Sequence, residues 1–362
     1  MKRPPGISCM RRVGGSISWR FRFKHGKKPE GADNYVSQAG FATMREAVDA
    51  MAREKARLGK APRLGKGDKS FGEFFLEWLD YAGAEWAPKT REVNRYHAER
   101  AIRRFGDVQL SKITLELLDQ EQRLLLTQGK ATTRGRSPLS AKSVKETFTL
   151  VKAALRQAKR WEYIASDPGA DLEVPTIKRK HKAILEEEQL HRLLESLQDT
   201  RDYPMLVFAA ASGCRRGECL AHRIEDVNFD TGEVAIKSSL EETKAGLRVK
   251  PTKSEKPRFF TLPNWALPAL REHLALLAYE KETLGSPYRD NGLLSPDRDG
   301  SYPSPDKVGG RINYLLKESG LQTTLHGLRH FHASWLLSDG VPLPVVSARL
   351  GHSNPAITLA GC

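Results

Sequence analysis

Apolar and polar residues alternate most strictly near the N-terminus, where Ile17, Trp19, Phe21 and Phe23 are interleaved with Ser16, Ser18, Arg20 and Arg22. Side chains two apart share a face of a strand, so the run predicts a strand with one apolar side and one side carrying Arg20 and Arg22. Thr43-Met44-Arg45-Glu46 has the spacing of a capping box. It opens a helix expected to run to about Leu58, with Met44, Val48, Met51 and Leu58 as its apolar stripe. A small sheet backed by one helix follows. Such a sheet fits a major groove with Arg20 and Arg22 toward the duplex, and it is equally an ordinary exposed sheet face.

Beyond a basic Gly/Pro stretch at 59–69 the apolar period becomes that of helices. Ser70-Phe71-Gly72-Glu73 caps a helix whose apolar side is Phe71, Phe74, Phe75 and Trp78, and further helices are expected over 88–105, 114–127 and 140–161. In the last, Val144, Phe148, Val151, Leu155 and Ala158 recur at helical spacing beside Lys142, Lys145, Lys152, Arg156, Lys159 and Arg160. The aromatics read as core, and the Lys/Arg surface suits a duplex clamp. Thr132–Pro138, with Arg134 and Arg136, reads as a mobile basic loop. Residues 166–182, ending in Lys178-Arg179-Lys180-His181-Lys182, read as a linker, either solvated or lying along phosphates.

A third region starts at Leu185–Leu190, a helix start with acids in its first turn, followed by an apolar helix at 205–211. In Ser212-Gly213-Cys214-Arg215-Arg216-Gly217-Glu218, Arg215 and Glu218 are three apart, so the carboxylate could brace the guanidinium. On spacing alone an ordinary surface pair of little energetic weight is the better reading. A strand is expected at 233–237 and a hairpin over 248–260, whose turn carries Lys253: a solvated amine, or a mobile proton donor. Helices over 265–280 and 306–319 lead to the last stretch. There His326 and Arg329 share a helix face, and a short helix stopped by Gly351 delivers His352 beside them. Nitrogen donors converging on one point suit an anionic oxygen ligand, and the guanidinium fork suits phosphate best.

Charge sharpens this picture. The net charge is +15, and residues 1–67 hold 16 Lys+Arg against 5 Asp+Glu, most of the surplus. A segment this basic points to nucleic acid, with a solvated tail as the plainer alternative. Cys9, Cys214, Cys219 and Cys362 show no CxxC spacing, which argues for a reducing compartment and against structural zinc. No apolar run reaches about 18 residues and no secretory signal stands at the N-terminus, so no membrane association is expected and the cytoplasm is the expected compartment.

Together these residues resemble the tyrosine recombinase (phage integrase) family. The matching motifs are Ser212-Gly213-Cys214-Arg215-Arg216-Gly217-Glu218, Thr252-Lys253-Ser254, His326-Gly327-Leu328-Arg329 and Leu350-Gly351-His352, in the family's order. The resemblance implies a mainly α chain with small β-sheets, an α+β architecture. Its parts would be an arm-type DNA-binding domain at 1–60, a linker at 61–69, a helical, SAM-like core-binding domain at 70–165, a linker at 166–182 and a mixed α/β catalytic domain at 183–362, truncated at its C-terminus. It implies a site-specific recombinase that cuts and rejoins duplex DNA through a 3′-phosphotyrosyl intermediate, as in integration and excision of phage or mobile elements. By the resemblance, Arg215 and Arg329 bind the non-bridging oxygens, Lys253 protonates the departing 5′-oxygen, His326 assists proton transfer, His352 bonds the phosphate and Glu218 supports Arg215. No metal, ATP or other cofactor is implied. The expected partners are double-stranded DNA at core-type and arm-type attachment sites, and three further copies in a homotetramer on DNA. Arg20, Arg22, Lys142, Lys145, Arg134 and Arg136 are the candidate DNA contacts.

The chain departs from the family in one place. No tyrosine occurs after Tyr314, and Cys362 stands near the position of the nucleophile. A truncated or frameshifted gene product is the favoured explanation, ahead of an engineered or incomplete chain and of Cys362 as nucleophile, since a thiolate attacks phosphorus poorly. Strand cleavage by this chain is therefore expected to be absent or very weak. The alternative is a non-catalytic, sequence-specific DNA-binding protein derived from an integrase.

Overall fold

The computed structural model describes residues 4–11, 17–27, 33–59, 69–132, 135–177, 185–252, 256–321 and 323–359. Arg134, Lys253 and Cys362 lie outside the described residues, as do most of the stretch at 61–69 and the basic cluster at 178–182. The chain divides into two compact units, residues 1–177 and 178–362. Among the described residues no helix is long and apolar enough to cross a membrane.

The first unit opens with a three-stranded antiparallel sheet in the order β1 (Ile7–Arg11), β2 (Ile17–Lys27), β3 (Asp33–Phe41), followed by α1 (Met44–Gly59). Phe21 and Met51 are buried as the two patterns predict, with Trp19, Phe23, Met44 and Val48 partly buried against them, and Ile7 and Ala47 join the same core without having been predicted. The end of the pattern departs from it: Ile17 is 52% exposed, whereas Ser18 is buried. Arg20 and Arg22 stay exposed, Arg20 Nε donating to Ser8 Oγ at 2.8 Å and the Arg22 guanidinium lying 4.2 Å from the centre of the Tyr35 ring.

The same unit contains α2 (Phe71–Gly83), α3 (Pro88–Phe105), α4 (Leu115–Gln128), the strands β4 (Lys130–Thr132) and β5 (Gly135–Ser137), and α5 (Ala141–Arg160). Ser70 and Glu73 form the predicted reciprocal cap. Phe71, Phe74, Phe75 and Trp78 are buried with Val144, Phe148, Val151, Leu155 and Ala158, so the aromatics are core. Two readings change. Within the stretch expected as a loop, Thr132 and Gly135–Ser137 lie in paired antiparallel strands in which Ala131 faces Arg136 and Thr132 faces Gly135, because a ladder satisfies backbone groups that a loop would leave to water. The packed chain also continues past 165: Leu172 is buried in the helical core, and Gln122 Nε2 donates to the Glu173 carbonyl at 2.8 Å.

In the second unit, α6 (Glu187–Ser196), α7 (Tyr203–Ser212) and α8 (Arg216–Leu220) precede four strands, β6 (Glu233–Ile236), β7 (Ser238–Thr243), β8 (Gly246–Pro251) and β9 (Arg258–Thr261). Then follow α9 (Leu267–Leu284), α10 (Pro305–Glu318), α11 (Leu325–Ser338), α12 (Leu343–Leu350) and α13 (Pro355–Leu359). The α7 helix is buried from Pro204 to Ser212, in keeping with its apolar sequence. The expected hairpin over 248–260 is not formed: β8 pairs with β7, and β9 pairs with β6. A two-residue connection between the paired Thr243 and Gly246, the latter with φ 114°, closes the hairpin over 238–251 instead.

Candidate active site

The α7 helix ends at Gly213, whose backbone is left-handed (φ 64°). A Cβ there would also stand 2.7 Å from His332 Cδ2 and 2.8 Å from Leu350 Cδ2, so both conformation and space require glycine. This tight turn starts α8 at once, with Arg215 as the residue before its first turn. At the far end of the unit, α12 stops on Gly351, again left-handed (φ 67°), and the chain turns to present His352.

A helix C-terminus leaves carbonyls without intrahelical donors, and the helix dipole makes that end negative. Here three successive carbonyls at the end of α12 each take a different arginine. The Arg349 carbonyl accepts from Arg258 Nε at 2.9 Å, the Leu350 carbonyl from Arg329 Nη2 at 2.7 Å, and the Gly351 carbonyl from Arg215 Nη2 at 3.1 Å. Arg329 Nη1 donates to the Gly213 carbonyl at 2.8 Å, closing the frame between the ends of α7 and α12. The short sequence Arg349-Leu350-Gly351-His352 thus acts mainly through its backbone.

Glu218 ties the arginines together. Its Oε1 accepts from Arg215 Nη1 at 2.9 Å and from Arg258 Nη1 at 3.0 Å; its Oε2 accepts from Arg258 Nη2 at 2.6 Å and from the Arg215 backbone N–H at 2.8 Å. The carboxylate is 1% exposed, so the expectation of a weak surface pair is overturned: the α8 turn lays Glu218 into the core while Arg215 keeps a partly exposed guanidinium. Burial alone would push the Glu218 carboxyl up, but the Arg258 hydrogen bonds and charge, with the Arg215 contacts, outweigh it and hold it below the usual carboxylate range. Arg329 is 3% exposed and its described bonds go to carbonyls and an imidazole, not to a carboxylate. Burial first, then the nearby Arg215 charge, lower its pKa to about 10. It remains a cation at neutral pH, and an anion beside it would relieve that cost.

His352 Nε2 lies 2.8 Å from Arg329 Nη2, and His352 Nδ1 lies 2.8 Å from Thr358 Oγ1. Burial, then the charges of Arg329, Arg215, His326 and His330, depress this imidazole to about 4. The His326 and His330 rings meet edge-on, 4.8 Å apart, with His326 exposed on the outer side of α11. Arg215, Glu218, His326, Arg329 and His352 are therefore brought to one place. Arg20, Arg22, Lys142, Lys145 and Arg136 belong to the other unit.

Four side chains at this place escape sequence reasoning: Arg258, Arg349, His330 and Thr358. Arg258 is buried and Phe259 is 72% exposed, the inverse of what hydrophobicity predicts for two neighbours on a strand. Arg349 lies 4.5 Å from the Phe260 ring centre and donates through Nε to His332 Nε2 at 2.9 Å. A signal for Arg349 was available, since it immediately precedes the Leu-Gly-His motif. A concavity of about 610 Å³ in this unit, lined by Tyr203, His273, Leu276, Tyr279 and Glu280, contains none of these residues. The converging cations mark the chemistry better than cavity size does. Among the described residues no group of three His, Cys, Asp or Glu is placed to hold a metal ion.

Residues 183–360 match the phage integrase family model. Curated relatives include a tyrosine recombinase XerC-like protein of Caldanaerobacter subterraneus subsp. tengcongensis, 26% identical over 239 residues, a match covering 60% of this chain and 61% of that one. The tyrosine recombinase XerA of Thermococcus kodakarensis is 28% identical over 218 residues, covering 59% and 68%. The chain thus spans less than two thirds of the length of the first of these. Among solved structures, the Tn1549 transposon integrase in complex with a circular intermediate DNA superposes with a TM-score of 0.67 at 17% identity, over 81% of this chain and 95% of that one. A lambda integrase dimer bound to a COC' core site superposes with a TM-score of 0.60 at 15% identity, over 100% and 95%. At these identities the structural likeness is one of fold.

Proposed function

Because this chain belongs, through residues 183–360, to the phage integrase family of tyrosine recombinases, we propose that its second unit binds a scissile DNA phosphate between Arg215 and Arg329 for site-specific strand cutting and rejoining. The observation that carries the reading is the unequal pairing of the three guanidiniums. Glu218 bonds Arg215 and Arg258, while Arg329 has carbonyls and His352 as its described partners. A phosphodiester oxyanion supplies the missing charge.

Phosphoryl transfer to a tyrosine hydroxyl builds negative charge on the non-bridging oxygens, and fixed donors stabilise that state without reorganising. Arg215 and Arg329 take those oxygens in this proposal, His352 stands against Arg329 at the same place, His326 assists proton transfer, and Lys253 protonates the departing 5′-oxygen. The product is a 3′-phosphotyrosyl link whose energy is returned on rejoining. Residues 353–362 contain no tyrosine, so the chain by itself is proposed not to form that link. Residues 1–60 and 70–165 are proposed as arm-type and core-type DNA-binding domains, with Arg20, Arg22, Lys142, Lys145, Arg134 and Arg136 as phosphate or base contacts and a homotetramer as the assembly on DNA.

A nicked suicide duplex tests this. The chain alone is expected to give no adduct stable to denaturant and reductant. Extension beyond residue 362 by a tyrosine-bearing tail is expected to give one, and Arg215→Ala or Arg329→Ala to abolish it. Duplex binding with no adduct from the extended chain would instead identify a DNA-binding protein without cutting chemistry. Binding insensitive to salt would overturn both, because phosphate contacts release counterions.

A further inference from the structure

We infer that Thr358 is a positioning residue: its hydroxyl accepts the Nδ1–H that His352 must carry when Nε2 is the acceptor of the Arg329 fork, and so stabilises the imidazole in that tautomer and orientation. The argument starts from what a guanidinium can do. Arginine has donors and no acceptor. The 2.8 Å contact between Arg329 Nη2 and His352 Nε2 therefore requires a lone pair on Nε2. A neutral imidazole with its lone pair there has its proton on Nδ1, so the 2.8 Å contact with Thr358 is an Nδ1–H donating to Oγ1. An imidazolium, or the other neutral tautomer, would point an N–H at the Arg329 N–H.

The choice of a hydroxyl matters. The charged or titratable groups that face the ring are Arg329, Arg215, His326 and His330, all of them bases. A carboxylate behind Nδ1 would raise the basicity of the ring and favour the doubly protonated form. A buried threonine accepts the Nδ1–H without doing so, and Thr358 is 1% exposed. The α13 turn, begun by Pro355, places that hydroxyl six residues after His352, on the far side of the ring from Arg329. In this arrangement His352 orients the phosphate-binding arginine and is not itself a phosphate donor; it becomes one only when Nε2 gains a proton.

The consequence for catalysis rests on the phosphate reading given above, but the tautomer does not. The 362-residue chain labelled with ¹⁵N at histidine is measured by NMR between pH 5.5 and 8, with His352→Gln used to assign the ring. His332 serves as an internal reference, since its Nδ1 meets the Ala210 carbonyl at 2.9 Å and its Nε2 accepts from Arg349 at 2.9 Å, the same tautomer with partners other than Thr358. The wild type is expected to show His352 with a protonated Nδ1 and a pyridine-like Nε2 throughout the range. In Thr358→Val the His352 signals shift toward the Nε2–H tautomer while His332 is unchanged, and Thr358→Ser restores the wild-type pattern. An Nε2–H tautomer in the wild type, or a valine variant identical to it, overturns the inference. Addition of nicked duplex then tests the phosphate reading separately: a shift at His352 Nε2 supports it, and no shift with the tautomer intact refutes that reading alone.

Discussion

Arg329 and Lys142 carry the same charge in opposite surroundings. Arg329 is buried at the end of α12, with its N–H groups on two carbonyls and one imidazole. The Lys142 side chain is 70% exposed on α5, 3.8 Å from Glu146 in a pair one helical turn apart. A guanidinium held by carbonyls keeps its direction, whereas an exposed ammonium keeps only its charge. The first can select one phosphate in one geometry; the second can only raise the local affinity for a polyanion. Lys152 shows that position on the basic face is not sufficient, because its Nζ donates to the Leu172 carbonyl at 2.5 Å and so serves the fold.

The contrast breaks most visibly at Glu218. Replacing it with alanine leaves Arg258 buried without its counter-charge, which costs about 3–5 kcal/mol. Urea unfolding of the variant is expected to show that loss, and a change below about 1 kcal/mol would mean the arginines are held by carbonyls alone. Arg329→Lys comes next. Lysine keeps the charge but cannot reach the Gly213 and Leu350 carbonyls as a planar fork. Adduct formation by the tail-extended chain is expected to fall roughly 10²–10³-fold, the scale of losing a fixed donor at a developing oxyanion. Recovery of wild-type rates by lysine would reduce Arg329 to a point charge.

How far this contrast is legible in the sequence follows from the same physics. The helices of both units and the cap at Ser70 are readable because their apolar positions are truly buried. The pairing of β7 with β8 is not, because every β8 residue except Lys250 is exposed and burial leaves no alternation to read. Arg215, His326, Arg329 and His352 are found by residue type and order. Arg258 is hidden, since its carboxylate partner lies 40 residues away in sequence and its neighbour Phe259 takes the solvent side instead. Thr358 is hidden because a lone threonine near a chain end has no pattern around it.

Acid should expose the difference between buried and exposed bases. Burial lowers His222 and His352 to about 4 and His332 to about 3, from an ordinary value of 6.5. In the unfolded chain these rings take up protons near pH 6.5, while in the fold they stay neutral to about 4 or below. The unfolded state therefore binds more protons across that window, and stability must rise with pH through it. These three contributions are fully present above about pH 6.5 and are lost progressively toward pH 4. Thermal unfolding from pH 4 to 7.5 is expected to show the slope, and His332→Gln to flatten part of it.

The smallest effect is expected on the basic face, and there the sign of the contrast can be read most directly. Lys142→Ala and Lys145→Ala remove charges from the outer surface of α5, whose apolar side is already satisfied in the helical core. Their stability change should stay within about 0.5 kcal/mol. Each lysine–phosphate pairing removed should reduce the slope of log affinity against log salt by about 0.9. Competition between core-site and random duplex should be unaffected, since phosphate contacts carry no base information. Duplex binding over a salt series, for each variant and for both together, measures this. A variant that changes the preference between sequences would place that lysine at a base edge, and the division between a directional cradle in one unit and a diffuse cationic face in the other would fail at α5.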